Sequence, residues 1–274
     1  MDFDPYALFE PTAQAMPEPL PVSDVDAGQL VMPFYLICDV SGSMSRHMKE
    51  LNRSLNELFS SIARNPIIDD TVMVSVITFD HNAQVAVPLS APSEGSVPEL
   101  RSAGGTSYAA AWACYATAVA EDYNALKAEG AQFFRPCVFF LTDGDDLGSN
   151  WQEVFQAYLG RDFDTGVGNP MYPFVVSFGF GDASIESLSA LAYPPQHPNV
   201  SKPGRWYLAA KTGPGEMLKA IIPMIAQSVV NSGMSAAPAA DGRVTPSVEL
   251  DDSWLRGSHV VAGHAGLHQV DAVF

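Results

Sequence analysis

Basic side chains are scarce in this chain of 274 residues, where 14 Lys and Arg stand against 31 Asp and Glu for a formal charge of −17. A surface so poor in cations offers little to a phosphate backbone, which argues against a nucleic-acid binder. Cysteine is equally sparse. Cys38, Cys114 and Cys137 are an odd number with no C-x-x-C spacing, and two of them sit inside apolar runs, so neither a disulfide framework nor a zinc framework is expected. No uninterrupted apolar run approaches the roughly 18–20 residues that span a bilayer, and the opening MDFDPYALFEP has no basic segment leading into an apolar one. Also missing are a GxxxxGK[ST] phosphate loop and a G-x-S-x-G elbow, while Gly179-Phe180-Gly181 is too fragmentary for a dinucleotide fingerprint. These absences predict a protein of a reducing, cytoplasmic compartment with no membrane span and no nucleic-acid partner.

What is present is enough chain for one sizeable core, since a domain of this size buries roughly three quarters of its unfolded surface. Residues 1–30 hold Pro11, Pro17, Pro19 and Pro21 among acids and small residues, which predicts an extended lead-in whose Phe3, Tyr6, Leu8 and Phe9 could dock elsewhere. Residues 31–232 form the expected folded unit. From 233 to 274 a linker containing SAAPAADGR runs into a Gly/Ala/His-mixed tail too short to build a core of its own.

Within the folded unit, short apolar runs alternate with long segments of 3.6 periodicity, the pattern of an α/β protein with a mostly parallel sheet and helices on both faces. Strands are predicted over 34–39, 72–79, 83–88, 136–142, 174–180 and 206–209. Met48, Leu51, Leu55, Leu58, Phe59 and Ile62 step along one helical face, as do Tyr108, Trp112, Tyr115 and Val119. A further helix is expected to open at Pro214 and to be kinked or split at Pro223. Asp80, His81 and Asn82 join two strands as a short hairpin, which puts one antiparallel strand at a sheet edge.

Ligands of such sheets gather where strands run into loops at their carboxyl ends. Three of those junctions are rich in oxygen: Asp39-Val40-Ser41-Gly42-Ser43-Met44, Ala103-Gly104-Gly105-Thr106-Ser107, and Leu141-Thr142-Asp143-Gly144-Asp145-Asp146. Carboxylates and hydroxyls without Cys or His suit a small, hard cation. Asp39, Ser41 and Ser43 alternate, so all three can face one point, with Gly42 letting the backbone bend. Thr106 and Asp143 would complete the ring. Magnesium takes about six oxygens and keeps some waters, which leaves room for an outside ligand.

A plainer reading has Ser43 and Thr106 capping helices and Asp143 closing a turn, with Ser45 available to cap the helix after the first loop. Asp145 and Asp146 are either acids that steer a cation or parts of a solvated turn. His264 and His268 have the spacing of a shared helical face, with His259 upstream, but the glycines between them make poor helix. Thr245 is an exposed hydroxyl open to phosphorylation.

The motifs DVSGSMS, ITFD, GGTS and LTDG, in this order, resemble the von Willebrand factor type A (VWA) domain and its metal-ion-dependent adhesion site, over about residues 33–231. The stretch IIDDTVMVSVITFDHNAQVAVPLS followed by AGGTSYAAAW resembles most the bacterial tellurite-resistance TerY-like branch. The resemblance implies a Rossmann-like open sheet with irregular tails. It also implies a site of Asp39, Ser41, Ser43, Thr106 and Asp143 holding Mg2+ (or Mn2+), with a partner's Asp or Glu completing the coordination. It further implies a stress-response setting in which a serine/threonine kinase or a PP2C-type, metal-dependent phosphatase is the partner. Asp145 and Asp146 are more acidic than that branch's pattern, and the tail after 235 has no counterpart in it. The alternative is an enzyme, either a metal-dependent hydrolase or an aspartyl phosphotransferase using Asp39. Phosphotransfer wants a general acid near the nucleophile, and the residue two positions on is Ser41.

Overall fold

The computed structural model describes residues 28–209, 222–232, 250, 255, 260–268 and 270–273. The segments that include Phe3 to Phe9, Pro214, Thr245 and His259 lie outside the described residues. Among the described residues, nine strands form one open sheet: β1 (Leu30–Asp39), β2 (Val72–Phe79), β3 (Ala83–Ser90), β4 (Gln132–Phe133), β5 (Cys137–Thr142), β6 (Phe174–Gly179), β7 (Arg205–Ala209), β8 (Val260–His264) and β9 (Ala272–Val273). Their order is β3-β2-β1-β5-β6-β7-β8-β9, with β4 beside the start of β1. The five strands from β2 across to β7 run parallel, which matches the Rossmann-like architecture expected.

Sequence periodicity explains the layering. β1 is buried on both faces, so Phe34, Leu36 and Cys38 point into one core while Tyr35 and Ile37 point into the other. On the first face lies α1 (Met48–Ile62), inserting Leu51, Leu55, Leu58 and Ile62, together with the helical segment 222–232, inserting Met224, Ile225 and Val229. On the second lies α3 (Tyr108–Ala128), placing Tyr108, Trp112 and Tyr115 in the core against α4 (Trp151–Tyr158). A single turn, α2 (Pro66–Asp69), leads into β2, and α5 (Ile185–Leu191) packs beside β6 and β7. α4 and α5 were not expected; at 8 and 7 residues they hold about two turns of periodic signal. Pro223 is the second residue of the described helical segment 222–232.

The sheet edges need a correction. The hairpin through residues 80–82 is present, with β3 antiparallel to β2. The opposite edge is antiparallel as well: β8 pairs with β7 and β9 with β8. The expectation of one antiparallel edge strand and an irregular C-terminal tail therefore fails for residues 260–273. Val260 and Ala262 are fully buried in the same core as α1, so the tail adds strands to an existing core without needing one of its own.

Candidate functional site

The chain passes from β1 to β2 on one side, and β5 lies on the other, so the carboxyl ends of β1 and β5 face the point where strand order reverses. Crevices form at such points because consecutive loops leave in opposite directions. Asp39 is the last residue of β1, Thr142 is the last of β5, and Asp143 follows it.

The three oxygen-rich loops meet here. Ser41 Oγ lies 3.0 Å from Ser43 Oγ, and Ser43 Oγ donates to Asp143 Oδ1 at 2.7 Å across 100 residues of sequence. Asp39 is fully buried; its Oδ1 accepts the Ser41 backbone N–H at 2.8 Å, and its Oδ2 lies 2.8 Å from Thr142 Oγ1. The backbone ties the loops to one another: Gly42 N donates to Gly104 O at 3.0 Å, Ala103 N to Val40 O at 2.8 Å, and Leu147 N to Thr106 O at 3.2 Å. A Cβ on Gly42 would stand 3.3 Å from the Gly104 carbonyl, so this crossing favours glycine.

The helix-capping explanation for these side chains does not hold. Ser107, not Thr106, caps α3, its side chain accepting from Ala110 N, and the Thr106 hydroxyl has no hydrogen-bond partner among the described residues. Residues Gly42–Arg46 form a 3-10 turn, and α1 starts behind His47 with no side-chain cap, so Ser45 does not cap it. Asp143 reaches another loop where a turn closure would be local. Asp145 is solvent-exposed and Asp146 half-buried, and both also make hydrogen bonds that hold their loop. Asp145 Oδ1 accepts from Ser184 N at 2.9 Å, and Asp146 accepts from the N–H groups of Tyr108 and Gly148 at 2.7 and 3.0 Å. They fasten the third loop to two helix starts.

Two residues that the sequence reading did not assign to the site support it. Thr142 Oγ1 sits between Asp39 and the Gly144 carbonyl, its one proton serving either acceptor, and Tyr108 O–H donates to Gly144 O at 2.6 Å. Their place in LTDG and at the start of a helix carries no chemical flag; only the fold directs Thr142 to Asp39 and Tyr108 to Gly144.

Electrostatically the site is short of positive charge. Burial pushes the Asp39 carboxyl up to about 6, opposed by the Ser41 and Thr142 hydrogen bonds and reinforced by the negative charge of Asp143. Among the described residues no Lys or Arg forms an ion pair with Asp39 or Asp143. Two carboxylates sharing a crest with no Lys or Arg ion pair among the described residues, and with serine and threonine hydroxyls beside them, fit the donor chemistry of a hard divalent cation. Among the described residues no group of three or more His, Cys, Asp or Glu side chains is placed to hold a metal ion without hydroxyl donors. His264 lies on a strand and pairs with Asp271, so the helical histidine face does not form.

An open α/β sheet with an oxygen-lined crest at its switch point defines a Rossmann-like module, and part of the chain is similar in sequence to a known family. Residues 34–145 match the family model of the von Willebrand factor type A domain, a span that contains Asp39, Ser41, Ser43, Thr106 and Asp143. Over those residues the chain is similar to a VWA domain. No curated protein matches the chain. Among solved structures it is similar to the pilus adhesin SpaC from Lactobacillus rhamnosus GG in its open conformation, at 14% identity and TM-score 0.51, over 75% of this chain and 31% of that one. It is also similar to a von Willebrand factor type A structure from Catenulispora acidiphila (16%, TM-score 0.48, 75% and 43%). A third is proximal thread matrix protein 1 from the mussel byssus with a zinc-occupied MIDAS motif (14%, TM-score 0.46, 75% and 49%). At 14% identity the likeness to the pilus adhesin is one of fold alone. The chain spans less than half the length of each of these three proteins. Among the described residues no helix is long and apolar enough to cross a membrane.

Proposed function

We propose that this domain is a non-enzymatic interaction module in which Asp39, Ser41, Ser43, Thr106 and Asp143 hold Mg2+ or Mn2+ and a carboxylate of a partner protein completes the site. The observation that carries the reading is the run of oxygens Ser41–Ser43–Asp143, joined at 3.0 and 2.7 Å from loops that are remote in sequence. When bound, the cation supplies the positive charge that lets a chain of −17 hold an acidic visitor at contact distance, where screening of the long-range field beyond about 8 Å leaves the local charge in control. The protein's own residues do the rest. Thr142 and the Ser41 amide orient the Asp39 carboxylate, Tyr108 braces the Gly144 turn, and the cross-tied backbones keep the three loops in register.

Support for a binding role over catalysis comes from Asp39 itself. Its carboxylate is fully buried with an interaction at each oxygen, a poor position from which to attack a phosphoryl or acyl group. The resemblance of the motifs to the TerY-like branch supports a serine/threonine kinase or PP2C-type phosphatase as the partner. Three free thiols suit a reducing, cytoplasmic compartment.

The test is calorimetric titration of the full chain with Mg2+, Mn2+ and Zn2+, alongside affinity capture in magnesium and in EDTA, comparing wild type with Asp39→Ala. Saturable divalent binding and chelator-sensitive capture, both lost in the variant, are expected. Capture that persists unchanged in excess EDTA refutes the reading.

A further inference from the structure

Leu147 is the most exposed large hydrophobic side chain among the described residues, at 76% of its full surface. A single exposed leucine is ordinarily unremarkable on a protein surface. This one differs in its mounting. The loop that carries it, residues 144–149, is fixed by hydrogen bonds on every side. Asp145 binds Ser184, Asp146 receives the amides of Tyr108 and Gly148 and the hydroxyl of Ser149, Ser149 Oγ accepts from Ala109 N, and Leu147 N donates to Thr106 O. A leucine free to fold back could hide part of its surface; here the backbone is held so that it does not.

Its position is equally specific. Leu147 follows Asp143 by four residues, and its side chain lies over loop two, where a Cβ on Gly105 would stand 2.9 Å from Leu147 Cδ1. Thr106, whose carbonyl takes the Leu147 amide, is a residue of the candidate metal site. A rigid apolar post therefore stands against two of the three loops that supply oxygen to that site. A protein segment delivering a carboxylate there brings its neighbouring side chains to Leu147, and covering an apolar surface is favoured whatever the salt concentration.

We propose that Leu147 is a specificity-determining contact, selecting partners in which an apolar side chain lies close in sequence to the acid that enters the metal site. The inference rests on the reading of that site as a carboxylate receptor. It makes partner choice depend on a pair of features, one charged and one apolar, where the oxygen ring alone would accept any accessible Asp or Glu.

The experiment uses the full chain and an array of short synthetic peptides with one fixed Asp, each flanking position carrying Leu or Ser in turn. It is run in Mg2+ and in EDTA, with wild type, Leu147→Ser and Leu147→Met. Wild type is expected to favour Leu at one particular offset from the Asp. Leu147→Ser should reduce binding of that peptide about tenfold while Mg2+ affinity and binding of the all-Ser peptide stay within about twofold; Leu147→Met should retain most of the preference. Magnesium-dependent binding with no preferred apolar offset, or a preference identical in Leu147→Ser, overturns this inference alone. Binding indifferent to magnesium and to the Asp removes the receptor reading and this inference with it.

Discussion

Asp39 shows how one residue couples stability to binding. Burial raises its carboxyl to about 6 from an ordinary 3.8, so the folded, metal-free protein holds that proton more tightly than the unfolded chain does. The stability this contributes is whole below the ordinary value and is lost as pH rises through about 6. Cation capture needs the carboxylate and releases the proton, so Mg2+ affinity should fall by about tenfold for each unit of pH below about 6, as calorimetry across that range would show. An affinity flat across it would mean that Asp39 is not a ligand. For the same reason Asp39→Asn should stabilise the metal-free protein above pH 7 by roughly 1–3 kcal/mol in chemical denaturation while abolishing metal binding. Alternation placed Asp39, Ser41 and Ser43 on one side of a loop from sequence alone. Thr142 and Tyr108 could not be found that way, because a threonine in a strand and a tyrosine on an apolar helix face read as core until the fold directs their hydroxyls to Asp39 and Gly144.

Among the elements, the loops between strands and helices carry the strain. Gly104 has φ +65°, and a Cβ there would meet His81 Nδ1 at 2.1 Å and Asp80 Cγ at 3.2 Å, with the same loop's carbonyl bound to Gly42 N. Gly104→Ala should therefore destabilise by about 1–3 kcal/mol and weaken Mg2+ binding although it removes no donor; thermal melting and metal titration check the two halves. At the far edge of the sheet, β8 turns a presumed tail into part of the core. Ala262→Asp, at a fully buried position on β8, should lower the melting temperature by about 10 °C or more, whereas an independent tail would leave it unchanged. β8 escaped the sequence reading because its five residues, Val-Val-Ala-Gly-His, mix strand formers with glycine, and a short strand at an edge is recognisable only when the strand it pairs with is in place. The strands β1, β2, β5 and β6 were legible because continuous apolar runs ending in acids and turn formers have few other uses.

The whole molecule should carry the imprint of its buried acids. Asp122 on α3 accepts the Tyr35 hydroxyl of β1 at 2.7 Å, and burial, aided by the charge of Glu121 and opposed by that hydrogen bond, pushes it up to about 7. With Asp39 at about 6, the metal-free folded state binds more protons than the unfolded chain between about pH 4 and 7, so stability should decline as pH rises through that window; denaturant midpoints that rise instead would contradict it. Asp122→Asn should flatten the upper part of the decline, and saturating Mg2+ the part owed to Asp39. The sequence by itself determined the class of fold, the three oxygen-bearing junctions and the hardness of the cation they suit, because hydrophobic period, turn chemistry and donor type are local properties of the chain. Only the tertiary structure decided that the junctions share one crest, that Asp145 and Asp146 clamp a loop, that Leu147 stands beside the site and that residues 260–273 extend the sheet. Each of those depends on groups brought together from distant positions, and long-range proximity is set by how the sheet and its helices bury their apolar faces.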